Sequence, residues 1–456
     1  MVNLSHRRCD NRFGRASAPS HRCATRTALA YLAEIPCTTN EPPMRSPRTA
    51  ACGLLLLLST HAATAAAQSG RVKAFTGLTL VDGTDRAPVP NATIVVRDGR
   101  VVAAGPAARV AIPAGAERVR LDGKTVIPGL INAHGHVNEP RDLQVYAAYG
   151  VTTVYSLGGE SPAVFAARDA QRTPTLDRAR VLVAGPVVTA RTPDEARAQV
   201  ADLAARKVDV VKIRVDDNLG TAQKMPPEVY RAVIDEAHRR GLRVAAHLFY
   251  LADAKSLLDA GADFVAHSVR DAEVDAGLVT ALKRANVCVS PTLMREVSTF
   301  VYESTPDFFA DSLFLAHANR EWVAMGRDTA RQRATRNSPT AQRYKAALEV
   351  AKRNLKSLAD AGVVIAMGTD TGPVGRFQGY FELMEIEMMV QAGLTPRQAL
   401  LASTRDAARC MKIDAELGTL EAGKWADFLV LRENPLDGIH GTRALERVYI
   451  AGNLVR

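Results

Sequence analysis

Apolar and polar positions alternate in short runs at both ends of the chain. "AFTGLTLVDGT", "ATIVVRDGRVVAAG" and "ERVRLDGKTV" near the start switch between Val/Ile/Leu and polar residues with period two. Asp-Gly pairs break them, as tight hairpin turns require. The pattern returns at the end in "LGTLEAGKWADFLVLREN" and "LERVYIAGNLVR". Residues 73–124 and 415–456 are therefore expected to pair into one small β-sandwich. Residues 125–414 have a different rhythm, in which short apolar runs alternate with helical patterns. The expected strands are "TVIPGLINAH", "GVTTVYSLG", "RVLVAGPVVT", "VDVVKIRV", "LRVAAHLF", "DFVAHSV", "NVCVSPTL" and "VVIAMGTD". Between them, "PPEVYRAVIDEAHRRG" and "LADAKSLLDAG" read as helices closing on Gly. Eight such units over roughly three hundred residues predict an α/β fold of the (β/α)8 TIM-barrel type. The stretch 306–361 exceeds one helix and reads as a helical insertion after the seventh strand, of the kind that forms a lid.

The first residues follow neither pattern. From Met44, "MRSPRTAACGLLLLLSTHAATAAAQSG" has a basic start, a short apolar core and small residues before Gln68. That is the three-part form of a signal peptide, with a core too short to span a bilayer. Cleavage is expected near Ala67 and Gln68, placing the mature chain in a periplasm or outside the cell. Residues 1–43 read as a leader or a non-native extension.

Composition narrows the function. The 456 residues are 47% hydrophobic and 23% charged, as in ordinary globular proteins. Of the net charge of +10, half lies in residues 1–67, which hold eight Arg and three acids. The rest is dispersed, and aromatic content is only 5%, so no nucleic-acid surface is indicated. No stable membrane insertion is expected either, and a homo-oligomer is left open. Cys9, Cys23, Cys37 and Cys52 fall early, leaving Cys288 and Cys410. Two thiols suggest no disulfide framework, and Cys288 in "NVCVSP" reads as a small buried residue.

The chemistry gathers at the predicted strand ends, where barrels place their active sites. His134 and His136 in "NAHGH" point to the same side of an extended chain, offering two nitrogens to a metal. His247, His267 and Asp370 end the fifth, sixth and eighth strands. His238, His317 and His440 read as helix-end or surface residues. In "VDVVKIRV", Val211, Ile213 and Val215 suit the helix-covered outside, which turns Lys212 and Arg214 inward. A buried ammonium needs compensation. Either Lys212 pairs with a carboxylate such as Asp370, or its amine is carboxylated and bridges two metal ions.

Together these residues resemble the amidohydrolase superfamily, from "LTLVDGT" to "VYIAGNLV", and within it the imidazolonepropionase-like and Xaa-Pro dipeptidase (prolidase-like) branch. The resemblance implies that His134, His136 and Asp370 hold one ion and His247 and His267 a second. Carboxylated Lys212 would bridge the two, Zn2+ being the expected metal. Some relatives in this branch hold a single ion. It further implies that Asp370 moves the proton during hydrolysis of a C–N bond in a small molecule or dipeptide. Two departures touch the substrate side. Phe249 stands where such relatives often have Tyr, with Tyr250 next, and "AHSVRD" replaces a Glu-His-Gly sequence. Arg214, Tyr250, Arg270 and Arg295 are the candidate substrate residues, since an Arg fork suits a carboxylate. Dipeptides and N-acyl amino acids lead as substrates. Imidazolone-type cyclic amides and lactones are the alternatives, with a non-catalytic metal-binding protein as the reading from another class.

Overall fold

The run "TVIPGLINAH" is not one strand. Pro128 lacks a donor and Gly129 sends its N–H to Asp427 O at 2.9 Å, so the chain changes sheet there. Only glycine fits, because a Cβ at position 129 would lie 2.1 Å from Thr152 Oγ1. The computed structural model describes residues 72–456, and the signal-peptide and leader expectations fall outside them.

Before the break lie β1 (Val72–Leu80), β2 (Val89–Arg97), β3 (Arg100–Pro106), β4 (Glu117–Arg120) and β5 (Thr125–Pro128). After it come β6 (Leu130–Gly135), β7 (Val151–Ser156), β8 (Arg180–Val183), β9 (Val211–Val215), β10 (Val244–Leu248), β11 (Phe264–Val265) and β12 (Cys288–Val289). The chain closes with β13 (Phe428–Leu431), β14 (Leu445–Ile450) and β15 (Asn453–Leu454). One eight-stranded sheet joins both ends in the order β15-β14-β13-β5-β1-β2-β3, with β4 beside β1. Its apolar face buries Phe75, Ile94, Val126, Phe428, Val430 and Tyr449 in a core of its own.

The middle of the chain is parallel. Strands β6-β7-β8 form one sheet and β9-β10-β11-β12 another. Isolated parallel bridges Val188↔Ile213, Val289↔Ile365 and Gly135↔Thr371 lie between these segments. The expected eighth strand "VVIAMGTD" carries one of the bridges, at Ile365, and Thr371 just past its end makes another, without a ladder of its own. Helices follow the strands as predicted, Pro227–Arg239 and Leu251–Asp259 ending before Gly241 and Gly261, which take φ of +73° and +94°. The insertion is helical, ending in Pro339–Asp360. No helix among the described residues is long and apolar enough to cross a membrane.

Cys288 is buried, as expected, but it is not a lone thiol. It forms a disulfide with Cys410, across 122 residues, with Cα atoms 5.9 Å apart. Spacing along the chain could not reveal the pair, because only the packing of helix Arg405–Met411 brings Cys410 to β12.

The helix Leu293–Phe300 starts under an unusual cap. The N–H groups of Leu293 and Met294 donate to Glu385 Oε1 and Oε2 at 2.8 and 2.7 Å, satisfying two donors of the first turn. Burial pushes the Glu385 carboxyl up from 4.5 to about 8. The folded chain thus binds an extra proton between those values. The stability from this group is complete below pH 4.5 and is lost as pH rises through 8. Denaturant midpoints should fall between pH 5 and pH 9 more in the parent than in Glu385→Gln; equal falls would show the carboxyl to be ionised throughout.

Candidate active site

His134 sits on β6, His136 just beyond it, Lys212 on β9 and His247 on β10. His267 follows β11, and Asp370 follows the eighth segment. All six side chains meet at the carboxyl ends of the parallel strands. His134, His136 and Asp370 form the tightest group, with ligand atoms within 4.8 Å of one another. His136 Nε2 lies 2.8 Å and His134 Nε2 3.6 Å from Asp370 Oδ1. Lys212 Nζ is 3.3 Å from His134 Nε2, and among the described residues it makes no ion pair with Asp370. His267 packs against both neighbours, its ring centroid 4.6 Å from His134 in a tilted contact and 4.0 Å from His247 edge-on.

Each ring is oriented by a specific contact. His136 Nδ1 is 2.8 Å from Gly158 O, and His267 Nδ1 is 2.6 Å from Thr292 Oγ1. His247 Nε2 is 2.7 Å from Asp216 Oδ2. Two ring nitrogens are left bare: His267 Nε2 and His134 Nδ1 are buried with no hydrogen-bond partner. Orphaned imidazole nitrogens are costly unless something takes them up. The electrostatics favour ligand-ready forms. Burial holds His134 and His267 well below the usual imidazole range, and lowers His247 to about 3. Burial alone would raise Asp370, but Arg376 and His136 outweigh it and keep the carboxyl well below its usual range. Burial also lowers Lys212 to about 7, so much of its amine is neutral near neutrality. Neutral imidazoles beside an ionised carboxylate are the donor set a divalent cation requires, so the residues fit a metal.

The backbone is strained where the carboxylate stands. Asp370 has φ of +60°, unusual for a residue other than glycine. Its N–H donates to His134 O at 2.7 Å, and Arg376 Nη1 donates to Oδ2 at 2.5 Å. Beneath it, buried Glu382 accepts from Asn132 Nδ2, Thr369 Oγ1 and Thr371 Oγ1 at 2.5–2.7 Å, tying the His134 strand to the Asp370 segment.

The four substrate candidates divide. Arg214 is 43% exposed and lines a cavity of about 410 Å3 with Val188, Arg191, Asp216, Lys224 and Met225. Tyr250 is half-buried and donates its hydroxyl to Asp217 at 2.8 Å, while Lys224 sits 3.8 Å over its ring. Arg270 and Arg295 are buried and share one carboxylate, that of Glu296, at 2.9 and 3.1 Å. Arg270 also donates to Leu248 O and Ser268 O, and Arg295 lies 4.3 Å over Tyr344. These two guanidinium groups hold the strand ends together; neither lines the cavity. Among the remaining histidines, His238 pairs with Asp263 at 2.9 Å and His440 with Glu387 at 3.0 Å, while His317 packs on Tyr149.

Sequence reading missed Asp216, Arg376 and Glu382. The acidic pair in "RVDDN", directly after the fourth strand, was the available signal for the first. Arg376 lies in the Gly-flanked "GPVGRFQG", which shows nothing of its reach to Asp370.

The model of the amidohydrolase family matches residues 125–455. The chain belongs to that family. Ochratoxinase from Aspergillus niger is 29% identical over 286 residues, 60% of this chain and 52% of the relative. The chain thus matches about half the length of that protein. An imidazolonepropionase from Rhizorhabdus wittichii is 26% identical over 379 residues, 75% of this chain and 88% of the relative. Among solved structures, a putative prolidase from Bifidobacterium longum superposes with TM-score 0.70 at 28% identity, over 85% of this chain and 95% of that one. A Xaa-Pro dipeptidase with bound methionine gives 0.69 at 19% identity, over 84% and 99%, a likeness of fold. These relatives bear out the amidohydrolase resemblance and its imidazolonepropionase and prolidase-like branch.

Proposed function

We propose that this amidohydrolase is an exported, metal-dependent hydrolase that cleaves C–N bonds in small carboxylate-bearing substrates such as dipeptides or N-acyl amino acids. The observation that carries the reading is the cluster of four histidines, a buried amine and an ionised carboxylate at the strand ends. His134, His136 and Asp370 would hold one ion, His247 and His267 a second, with Zn2+ the expected metal. Lys212, neutral enough to take up CO2, would bridge them as its carbamate. A divalent ion supplies Lewis acidity and makes water a nucleophile near neutral pH. Asp370 would take a proton from the attacking water and hand it to the leaving nitrogen, which departs poorly without it. Arg376 keeps that carboxylate ionised and aimed.

Arg214 would bind the substrate carboxylate, since it alone of the three candidate arginines opens on the cavity. Arg214→Met should raise KM for carboxylate substrates about tenfold or more with little change in kcat. An unchanged KM would remove Arg214 from this role. The imidazolonepropionase relative supports a second reading, hydrolysis of cyclic amides. Both are tested by incubating the metal-loaded chain from Gln68 with dipeptides, N-acyl amino acids and cyclic amides, with and without chelator. Chelator-sensitive cleavage of the linear amides supports the first reading, and of the cyclic amides alone the second.

The three parallel bridges would close the seven strands and the eighth segment into a (β/α)8 ring, and the end-built sheet would curl about its core as a sandwich. The Cys288–Cys410 disulfide supports export, because such bonds persist in oxidising compartments.

A further inference from the structure

Asp216 is the least explained group at the site. It follows β9 directly, and its carboxylate is wholly buried. In the register of β9 and β10, Arg214 lies opposite His247, so the residue just past the strand reaches the His247 ring from the side. Oδ1 accepts from Asn218 N at 2.9 Å and Oδ2 from His247 Nε2 at 2.7 Å. Arg214 Nη2 is 3.6 Å from the same Oδ2. A buried carboxylate is costly unless every lone pair is used, and here one carboxylate serves two groups with different tasks.

An ionised carboxylate can only accept, so His247 Nε2 carries the hydrogen and Nδ1 presents its lone pair. Among the described residues no protein group hydrogen-bonds that Nδ1. The neighbouring His267 is arranged the same way, Nδ1 on Thr292 Oγ1 and Nε2 bare. The two rings are in edge contact at 4.0 Å, and a purely structural ion pair would leave His267 Nε2 unused in the interior and His247 Nδ1 unused beside it.

We propose that Asp216 is a positioning residue: it fixes the tautomer and orientation of His247 as a ligand of the second ion, and braces Arg214 in the cavity wall with the same carboxylate. This rests on the reading of the site given above. It makes the second ion, and not the first, depend on a residue that ligates neither. Partners of this kind commonly change metal affinity by about 10–100-fold.

The test is a calorimetric titration of chelator-stripped, full mature chain with Zn2+. The parent should take up two equivalents. Asp216→Ala should weaken one of them about 10–100-fold and leave the other, at His134, His136 and Asp370, unchanged. Asp216→Asn keeps the volume and an acceptor oxygen, so it should fall between the two and serves if the alanine variant does not fold. Both variants should also raise KM for carboxylate substrates through Arg214. Unchanged affinity for both equivalents in a folded variant would overturn the proposal. So would an equal loss at both, which is what general loosening of the fold produces. A parent that binds a single equivalent would overturn it while sparing the hydrolase reading, and a parent that binds none would overturn both.

Discussion

Asp370→Asn should lower kcat by about 10²–10⁴-fold, the usual worth of a positioned proton-transfer group. Asparagine has the shape of aspartate but can neither accept the proton nor return it. It also weakens one ligand of the His134–His136–Asp370 group, so metal uptake must be read alongside the rate. The fold should survive, because the backbone of residue 370 is held by its own N–H on His134 O and by the Glu382 network on either side. Circular dichroism and a melting curve check that point. The loss should appear in kcat under saturating Zn2+, with KM little changed. Full turnover in a folded, metal-loaded Asp370→Asn variant would show that the proton travels by another group.

The second large effect concerns stability. Replacing Cys288 and Cys410 together by Ala should cost about 2–5 kcal/mol, since a cross-link spanning over a hundred residues restricts the unfolded chain strongly. The two sulfurs lie at β12 and on a helix that also packs against β6, so the bond ties the parallel strands to the last helix before β13. Denaturant unfolding of parent and double variant measures the difference. Thiol titration of the denatured mature chain reads the bond itself, with no free thiol expected from a chain beginning at Gln68. Two free thiols, and equal midpoints, would remove both the bond and its support for export.

Much of the architecture is readable from the sequence because period-two and period-3.6 patterns are local. The strands β7 to β12 each lie within an expected run, and β6 overruns its own by one residue, Gly135. What failed to show were features set by contacts between distant segments. The break at Gly129 depends on Thr152 and Asp427, neither of which is nearby in the chain. The eighth segment reads as a strand by composition, yet forms only isolated bridges. At the site, the histidines, Lys212 and Asp370 were legible because they are rare residue types at strand ends. The arginines were not separable by type. Only the position of Glu296 shows that Arg270 and Arg295 are engaged in the interior while Arg214 opens on a cavity. Asp216 and Arg376 were hidden for the same reason: an acid or a guanidinium near a strand end says nothing of which side chain it will reach.

The most direct measurement strips the mature chain of metal and returns Zn2+ in steps, following metal content and cleavage of a dipeptide or N-acyl amino acid mixture in the same samples. Cleavage should be absent in the stripped protein and rise in proportion to bound Zn2+ until the site is full. His134→Ala with His136→Ala should bind less and cleave nothing. Cleavage that persists after stripping, or that ignores the loss of both histidines, would contradict a metal-dependent active site at these strand ends.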